Sequence, residues 1–180
     1  GWENVVLRNC YVGYAGHFYQ GQEQLSPWER PDGIGMESSE GPLEIDHCTF
    51  EHNAGDGLDS KTKNTYVHET IIANNSCDSL KFWGDGSRAE NVLIYGDGDG
   101  DPNNGSWSSI VIDTEHPGSF QFVNVTVDDH EERQNYPVYM QYSSTAAVNV
   151  LMRNCILAHG NNVIYVGNSV TLTADHNLLY

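Results

Sequence analysis

The chain of 180 residues carries 25 acidic side chains against 8 lysines and arginines, which gives a formal charge of −17 and a pI near 4.5. That length is enough for one domain with a buried core, while the acidic balance argues against a nucleic-acid partner, which would need a basic surface. The chain contains no run of about 18 apolar residues, so we expect no membrane insertion.

A repeated pattern of eight residues runs through the chain. It has apolar residues mostly at positions one, three and eight, often has Asn or His at position five, and occurs as "VVLRNCYV" (5–12), "LEIDHCTF" (43–50), "TYVHETII" (65–72), "FQFVNVTV" (120–127), "VLMRNCIL" (150–157) and "LTADHNLL" (172–179). A seventh copy, "VLIYGDGD" (92–99), follows the pattern only at its start. Such irregularly spaced copies are typical of a solenoid whose coils carry loops of different lengths.

A second short strand follows six of the copies. These strands read "DGIGME" (32–37), "DGLDSK" (56–61), "DSLKFW" (78–83), "SSIVID" (108–113), "YPVYMQ" (136–141) and "NNVIYV" (161–166). Strand alternation points one set of side chains inward: Ile34, Met36, Leu58, Ser60, Leu80, Phe82, Ile110 and Ile112.

These units predict an all-β fold, a right-handed parallel β-helix that forms a single domain over residues 1–180. One unit cannot bury its apolar face, but about seven coils stacked at roughly 4.8 Å can. An antiparallel sandwich is the rival fold, although it would not require the same polar residue at the same strand position in coil after coil. The chain begins and ends inside a repeat, so we expect a monomer that continues into further coils or caps.

Three of the four cysteines, Cys10, Cys48 and Cys155, occupy position six of the repeat. Small buried thiols suit an internal stack, and we expect them to be free, although a Cys10–Cys48 disulfide between adjacent coils remains an alternative.

Long connections separate the first and second strands of three coils. They cover residues 13–32, 96–107 and 128–136, whereas the coils at 43–61 and 65–83, the second and third, have short ones. We expect the three long loops to wall a cleft whose floor is formed by coils two and three, because function tends to lie on loops that a rigid scaffold positions.

The outward residues of the second strands form two predicted columns. One reads Gly35, Asp59, Lys81, Val111, Tyr139 and Tyr165, and the other Glu37, Lys61, Trp83, Asp113, Gln141 and Gly167. Flat aromatic faces suit sugar rings, so the candidate ligand contacts are Trp83, Tyr139, Gln141, and Trp28 and Trp107 from the loops.

Asp32, Asp56 and Asp78 stand just before these strands on successive coils. They either accept hydrogen bonds from turn N–H groups or, together with Glu37, bind calcium, which would relieve the repulsion among stacked carboxylates. The loop at 96–107, which we call the acidic loop, offers a second candidate calcium site. Its residues Asp97, Asp99 and Asp101 alternate like the first ligands of a calcium loop.

The segment "LEIDHCTFEHNAGDGLDSK" (43–61) resembles the pectate-lyase-like superfamily of right-handed parallel β-helices. Ile45, Asp46 and His47, followed by Asp56–Leu58, match its order of an "IDH" strand and then a "DGL" strand. The resemblance implies a secreted or cell-surface protein that acts on a polysaccharide. The "RxPxxR" segment of pectate lyases and the catalytic motifs of polygalacturonases are absent, which leaves a similarity to lyases that use a lysine base with calcium.

The activity expected from that resemblance is β-elimination or epimerisation of a uronate polymer. Both reactions need a base beside a neutralised carboxylate. Lys81 is the candidate base, with Lys61 as its substitute and Asp59 beneath it. Non-catalytic carbohydrate binding or surface adhesion is the first alternative, and a purely structural coil fragment is the second.

Overall fold

The computed structural model describes residues 2–16, 26, 29–98, 108–128, 136–141, 144–159 and 162–180. Within these ranges the strands form three sheets, A, B and C, which the chain visits in that order on each coil. The described ranges contain no helix that is long and apolar enough to cross a bilayer.

Sheets A and B contain seven strands each and sheet C contains six. Sheet A consists of β1 (Val5–Arg8), β4 (Leu43–Asp46), β7 (Thr65–His68), β10 (Arg88–Glu90), β13 (Gly118–Val123), β16 (Val148–Arg153) and β19 (Val170–Asp175). Sheet B consists of β2 (Tyr11–Gly13), β5 (Thr49–Glu51), β8 (Ile71–Ala73), β11 (Leu93–Tyr95), β14 (Thr126–Asp128), β17 (Ile156–Ala158) and β20 (Leu178–Leu179). Sheet C consists of β3 (Ile34–Met36), β6 (Leu58–Ser60), β9 (Leu80–Phe82), β12 (Ile110–Ile112), β15 (Val138–Met140) and β18 (Ile164–Val166).

Each strand pairs in parallel with the equivalent strand of the next coil. In sheet C, for example, Asp59 lies opposite Lys81 and Lys81 lies opposite Val111. The predicted parallel β-solenoid is therefore confirmed, and the antiparallel sandwich is excluded for the described strands.

A single residue with positive φ turns the chain from sheet A into sheet B. The residues at this bend, with φ between 51° and 55°, are Asn9, His47, Glu69, Asn91, Asn124, Asn154 and His176. Asn tolerates this left-handed conformation better than most residues. Two of these side chains also pair between adjacent coils, because Asn124 Nδ2 donates to Asn91 Oδ1 at 2.9 Å.

The seventh copy of the repeat was placed wrongly at 92–99. Asn91 occupies the bend position, and Ala89 and Ile94 point into the core, so the fourth coil carries this copy at 87–94. Its first strand begins with the exposed Arg88, so the copy lacks the apolar start by which the pattern is recognised.

The core lies between the three sheets, and the predicted inward positions of coils two to four fill it. Leu58, Ser60, Leu80, Phe82, Ile110 and Ile112 all have 0% exposure. Phe82 of sheet C reaches Phe122 of sheet A, with ring centroids 6.0 Å apart. The cysteines are free, as expected.

Candidate functional site

The outward face of sheet C has the predicted register. Its central column runs in register through Gly35, Asp59, Lys81, Val111, Tyr139 and Tyr165. The three lysines of the whole sequence, Lys61, Lys63 and Lys81, lie on or immediately beside this face in coils two and three. The arginines of the described strands, Arg8, Arg88 and Arg153, lie on sheet A instead, and each of the three lysines pairs with a carboxylate beside it.

The column of aspartates links successive coils through backbone hydrogen bonds. Asp32 Oδ1 accepts from the N–H of Asp56 at 2.8 Å, and Asp56 Oδ1 accepts from the N–H of Asp78 at 3.0 Å. Asp78 Oδ1 continues the series and accepts from the N–H of Ser108 at 2.8 Å. The turn-capping interpretation is confirmed, and each carboxylate keeps its second oxygen for another partner.

Lys81 occupies the second oxygens of two of these aspartates. Its Nζ lies 3.1 Å from Asp78 Oδ2 and 3.5 Å from Asp56 Oδ2, and the three side chains are only 8 to 16% exposed. Burial disfavours the ammonium, but the charges of Asp78, Asp56 and Asp59 outweigh it and raise the pKa of Lys81. Lys81 is therefore a fixed cation and hydrogen-bond donor at neutral pH, a state in which it cannot accept a proton.

The aspartates around Lys81 have shifted acidities as well. Burial, and then the charge of Asp78, raise the pKa of Asp56 well above its ordinary value, although Lys81 opposes the shift. Burial also raises the pKa of Asp78 and of Asp59, and Lys81 opposes both shifts. Such buried, coupled carboxylates are frequent at functional sites, although structural ion-pair networks produce them too.

Trp83 and Lys61 form the neighbouring column. The indole Nε1–H of Trp83 donates to Asp59 Oδ1 at 2.6 Å, and the Lys81 ammonium lies 5.6 Å from the ring centroid. Lys61 pairs at 3.1 Å with Glu37, whose side chain is 81% exposed. A groove of about 630 Å³ adjoins these side chains, and its lining includes Lys61, Lys63, Trp83 and His116.

The predicted calcium ligands separate into different environments. One carboxylate oxygen from each of Asp32, Asp56 and Asp59 lies within 4.8 Å of the others, a spacing that fits oxygens bound about 2.3–2.6 Å from one calcium ion. Asp78 is held by Lys81 and Ser108, and Glu37 is held by Lys61. Asp56 also contacts Lys81, at the longer distance of 3.5 Å.

The acidic loop is described only in part. Asp97 is buried beside Ser109 and Ser79, and burial raises its pKa to about 6 against the opposing effect of those hydroxyls. Asp99 and Asp101 lie outside the described residues, as do Trp28, Trp107 and most of the three long loops. The predicted cleft walls therefore stay a prediction.

The far end of sheet C is aromatic. The rings of Tyr139 and Tyr165 stack with centroids 4.5 Å apart and an interplanar angle of 13°, and Tyr136 lies 5.7 Å from Tyr139. Sequence reasoning named Tyr139 alone as a ligand contact; the shared column of Tyr139 and Tyr165 was the signal for the pair.

Gln141 lies next to these rings but is only 3% exposed. Its amide accepts from the N–H of Thr114 and donates to the carbonyls of Thr114 and Ala146. The two bonds to Thr114 join adjacent coils and the bond to Ala146 closes the turn that follows β15, so in this conformation Gln141 serves the fold.

Comparisons with family models, with curated proteins and with solved structures find no match to this chain. The candidate site therefore rests on the geometry of sheet C alone.

Proposed function

We propose that the protein is a secreted or cell-surface, carbohydrate-active β-solenoid that binds an acidic polysaccharide along the outward face of sheet C. The observation that carries the proposal is the placement of all three lysines together with Trp83 and the stacked Tyr139–Tyr165 pair at one face of one sheet. A chain of charge −17 would repel a polyanion at most other surfaces.

The face has two halves with different chemistry. Coils two and three present Lys61, Lys81 and Trp83, which suit a carboxylate-bearing sugar. Coils five and six present Tyr139 and Tyr165, whose flat faces suit apolar sugar surfaces. Five strands at a spacing of about 4.8 Å extend over roughly 19 Å, which is long enough to contact several sugar rings of an extended chain.

Turnover by β-elimination or epimerisation is the second candidate, and the fit of Asp32, Asp56 and Asp59 to calcium favours it. When bound, calcium would neutralise the carboxylate of the uronate. Lys81 becomes a competent base only if the surrounding negative charge is offset, because that charge raises its pKa. In the geometry described here Lys81 is protonated, so binding without turnover is the function that the site supports best.

Equilibrium binding of soluble oligouronates to Trp83→Ala tests the binding proposal. We expect affinity to fall at least about tenfold, or 1.4 kcal/mol, because the flat ring that lies 5.6 Å from the Lys81 ammonium is lost. Trp2→Ala is the matched control, since Trp2 is 65% exposed and lies outside sheet C. Equal affinities of the two variants, or no binding by the unmodified protein, would contradict the proposal.

Release of unsaturated product, measured by the ultraviolet absorbance of the new double bond, and change of uronate stereochemistry test turnover. The candidate mechanism predicts calcium-dependent activity that Lys81→Ala abolishes and Lys63→Ala retains. Activity that survives Lys81→Ala would place the chemistry elsewhere. Binding with neither product nor epimerisation in the presence of calcium would leave the binding function alone.

A further inference from the structure

Sheet A carries a second cluster of titratable side chains, away from the sheet C face. Glu44 and Asp46 lie two residues apart on β4 and so point to the same side of the sheet. His68 on β7 lies opposite Asp46 in the parallel register. A carboxylate oxygen of Glu44, one of Asp46 and a ring nitrogen of His68 lie within 4.8 Å of one another; we call these three residues the sheet A cluster.

The imidazole of His68 lies between the two carboxylates without bonding well to either. Its Nε2 is 3.5 Å from Glu44 Oε1, and its Nδ1 is 3.5 Å from Asp46 Oδ1. Nε2 is buried and has no hydrogen-bond partner among the described residues. Both separations are long for an N–H···O hydrogen bond. The 3.5 Å between Nε2 and Glu44 Oε1 is close to the roughly 3.4 Å between two donors that each lie 2.0–2.1 Å from a tetrahedral zinc ion. Asp46 Oδ1 faces the other ring nitrogen, Nδ1, so its carboxylate must turn to bind the same ion.

We infer that the sheet A cluster binds a divalent transition-metal ion, with zinc as the ion that best suits one imidazole and two carboxylates. The donor set distinguishes this site from the oxygen-only site on sheet C, because imidazole favours zinc and its neighbours over calcium. An ion here would bind side chains from β4 and β7 and so join coils two and three. The inference does not depend on carbohydrate binding.

Arg8 is the internal competitor for this ion. Its Nε lies 2.6 Å from Asp46 Oδ2, and its Nη2 lies 3.1 Å from Glu44 Oε1, the oxygen that faces His68. The Arg8 side chain is 56% exposed, so it can move aside when an ion binds. Loss of this guanidinium removes a positive charge that repels the ion and frees Glu44 Oε1 and Asp46 Oδ2, whereas Asp46 Oδ1 keeps its contact with His47 Nδ1. Arg8→Gln should therefore bind zinc more tightly than the unmodified protein.

Isothermal titration of zinc into the metal-stripped full chain tests the site through three variants. We expect His68→Gln to weaken zinc binding at least about tenfold and Arg8→Gln to strengthen it several-fold. His176→Gln is the matched control and should leave the affinity unchanged, because His176 pairs with Asp175 at 2.7 Å and is 76% exposed. Arg8→Gln alters an exposed side chain and keeps the test valid if His68→Gln does not fold.

Three results would overturn the inference: no saturable zinc binding by the unmodified protein, equal losses in His68→Gln and His176→Gln, or weaker binding in Arg8→Gln. Asp59→Asn, on sheet C, should leave zinc affinity unchanged. A loss of zinc affinity in that variant would show that the ion binds on sheet C and not on sheet A, and would also contradict the inference.

Discussion

Replacement of Lys81 by Met is the most informative single perturbation of the sheet C site. Met keeps most of the side-chain volume but removes the cation that lies 3.1 Å from Asp78 and 3.5 Å from Asp56. The two carboxylates are only 8% and 10% exposed, so they would face each other without a counter-charge. Loss of one partner from a buried pair costs about 3–5 kcal/mol, which for a chain of this size lowers Tm by roughly 6–20 °C.

The loss should depend on pH with a definite sign. Burial raises the pKa of Asp56 and Asp78, so the folded protein retains protons that the unfolded chain releases near pH 4, as ordinary carboxyls do. The free energy of unfolding of Lys81→Met therefore falls as pH rises from about 4 through the raised folded-state pKa values. Urea denaturation followed by circular dichroism should show a small deficit near pH 4 and the full deficit near pH 7.

Lys63→Met is the matched control for this experiment. Lys63 pairs with Glu40 at 2.8 Å, but the two side chains are 47% and 76% exposed, and an exposed pair contributes about 1 kcal/mol at most. Equal deficits for the two lysine variants at neutral pH would refute the reasoning. So would a Lys81→Met deficit that is the same near pH 4 as near pH 7.

Three further substitutions, one of them with a control variant, test the fold by thermal or urea denaturation. Gly84→Ala should lower the free energy of unfolding by at least about 3 kcal/mol, because a Cβ there would lie 2.1 Å from the Thr62 carbonyl oxygen. Gly35→Ala is the control: its Cβ meets nothing nearer than 3.3 Å, so its stability should stay within about 0.5 kcal/mol of the parent. Similar losses in the two variants would contradict the packing. Asp97→Asn should raise the free energy of unfolding by about 2 kcal/mol near pH 7 and leave it unchanged near pH 4. The reason is that a folded-state pKa of about 6 makes ionisation of the buried carboxyl costly. The same gain at both pH values would argue against that cause. Glu69→Asn should increase the free energy of unfolding by about 1 kcal/mol, because φ is 51° at this bend. A loss of stability would show that the bond Glu69 Oε1 accepts from Asn91 Nδ2 at 2.8 Å outweighs the backbone preference.

The register of sheet C could be predicted because two regularities combine. The bend residue recurs at position five of each copy, and strand alternation then assigns Asp59, Lys81 and Val111 to one outward column. The same reasoning was wrong at 92–99, where the copy begins earlier and its first strand opens with Arg88. A pattern built on apolar positions cannot detect a strand whose outward residues are charged and whose inward residue is the small Ala89.

The contacts of long side chains could not be predicted from the register. Lys81 is in the expected column, but its flexible stem carries the ammonium back to Asp56 and Asp78, a choice that burial and charge decide only in three dimensions. Gln141 follows its strand on the outward side as expected, yet the turn at Ala146 covers it and takes up its amide. Side-chain direction therefore separates the residues that face a ligand from those that join the coils.

The measurement that tests the central claim most directly is nuclear magnetic resonance of the protein labelled with carbon-13 in lysine only, during titration with an oligouronate. The sequence contains three lysines, so each resonance reports on the proposed face or its margin. The account predicts saturable shifts of the Lys61 and Lys81 side-chain signals, which need at least about tenfold more ligand in Trp83→Ala, and a smaller shift for Lys63. Binding that leaves all three lysine signals unmoved would show that the polysaccharide binds elsewhere and would contradict the account.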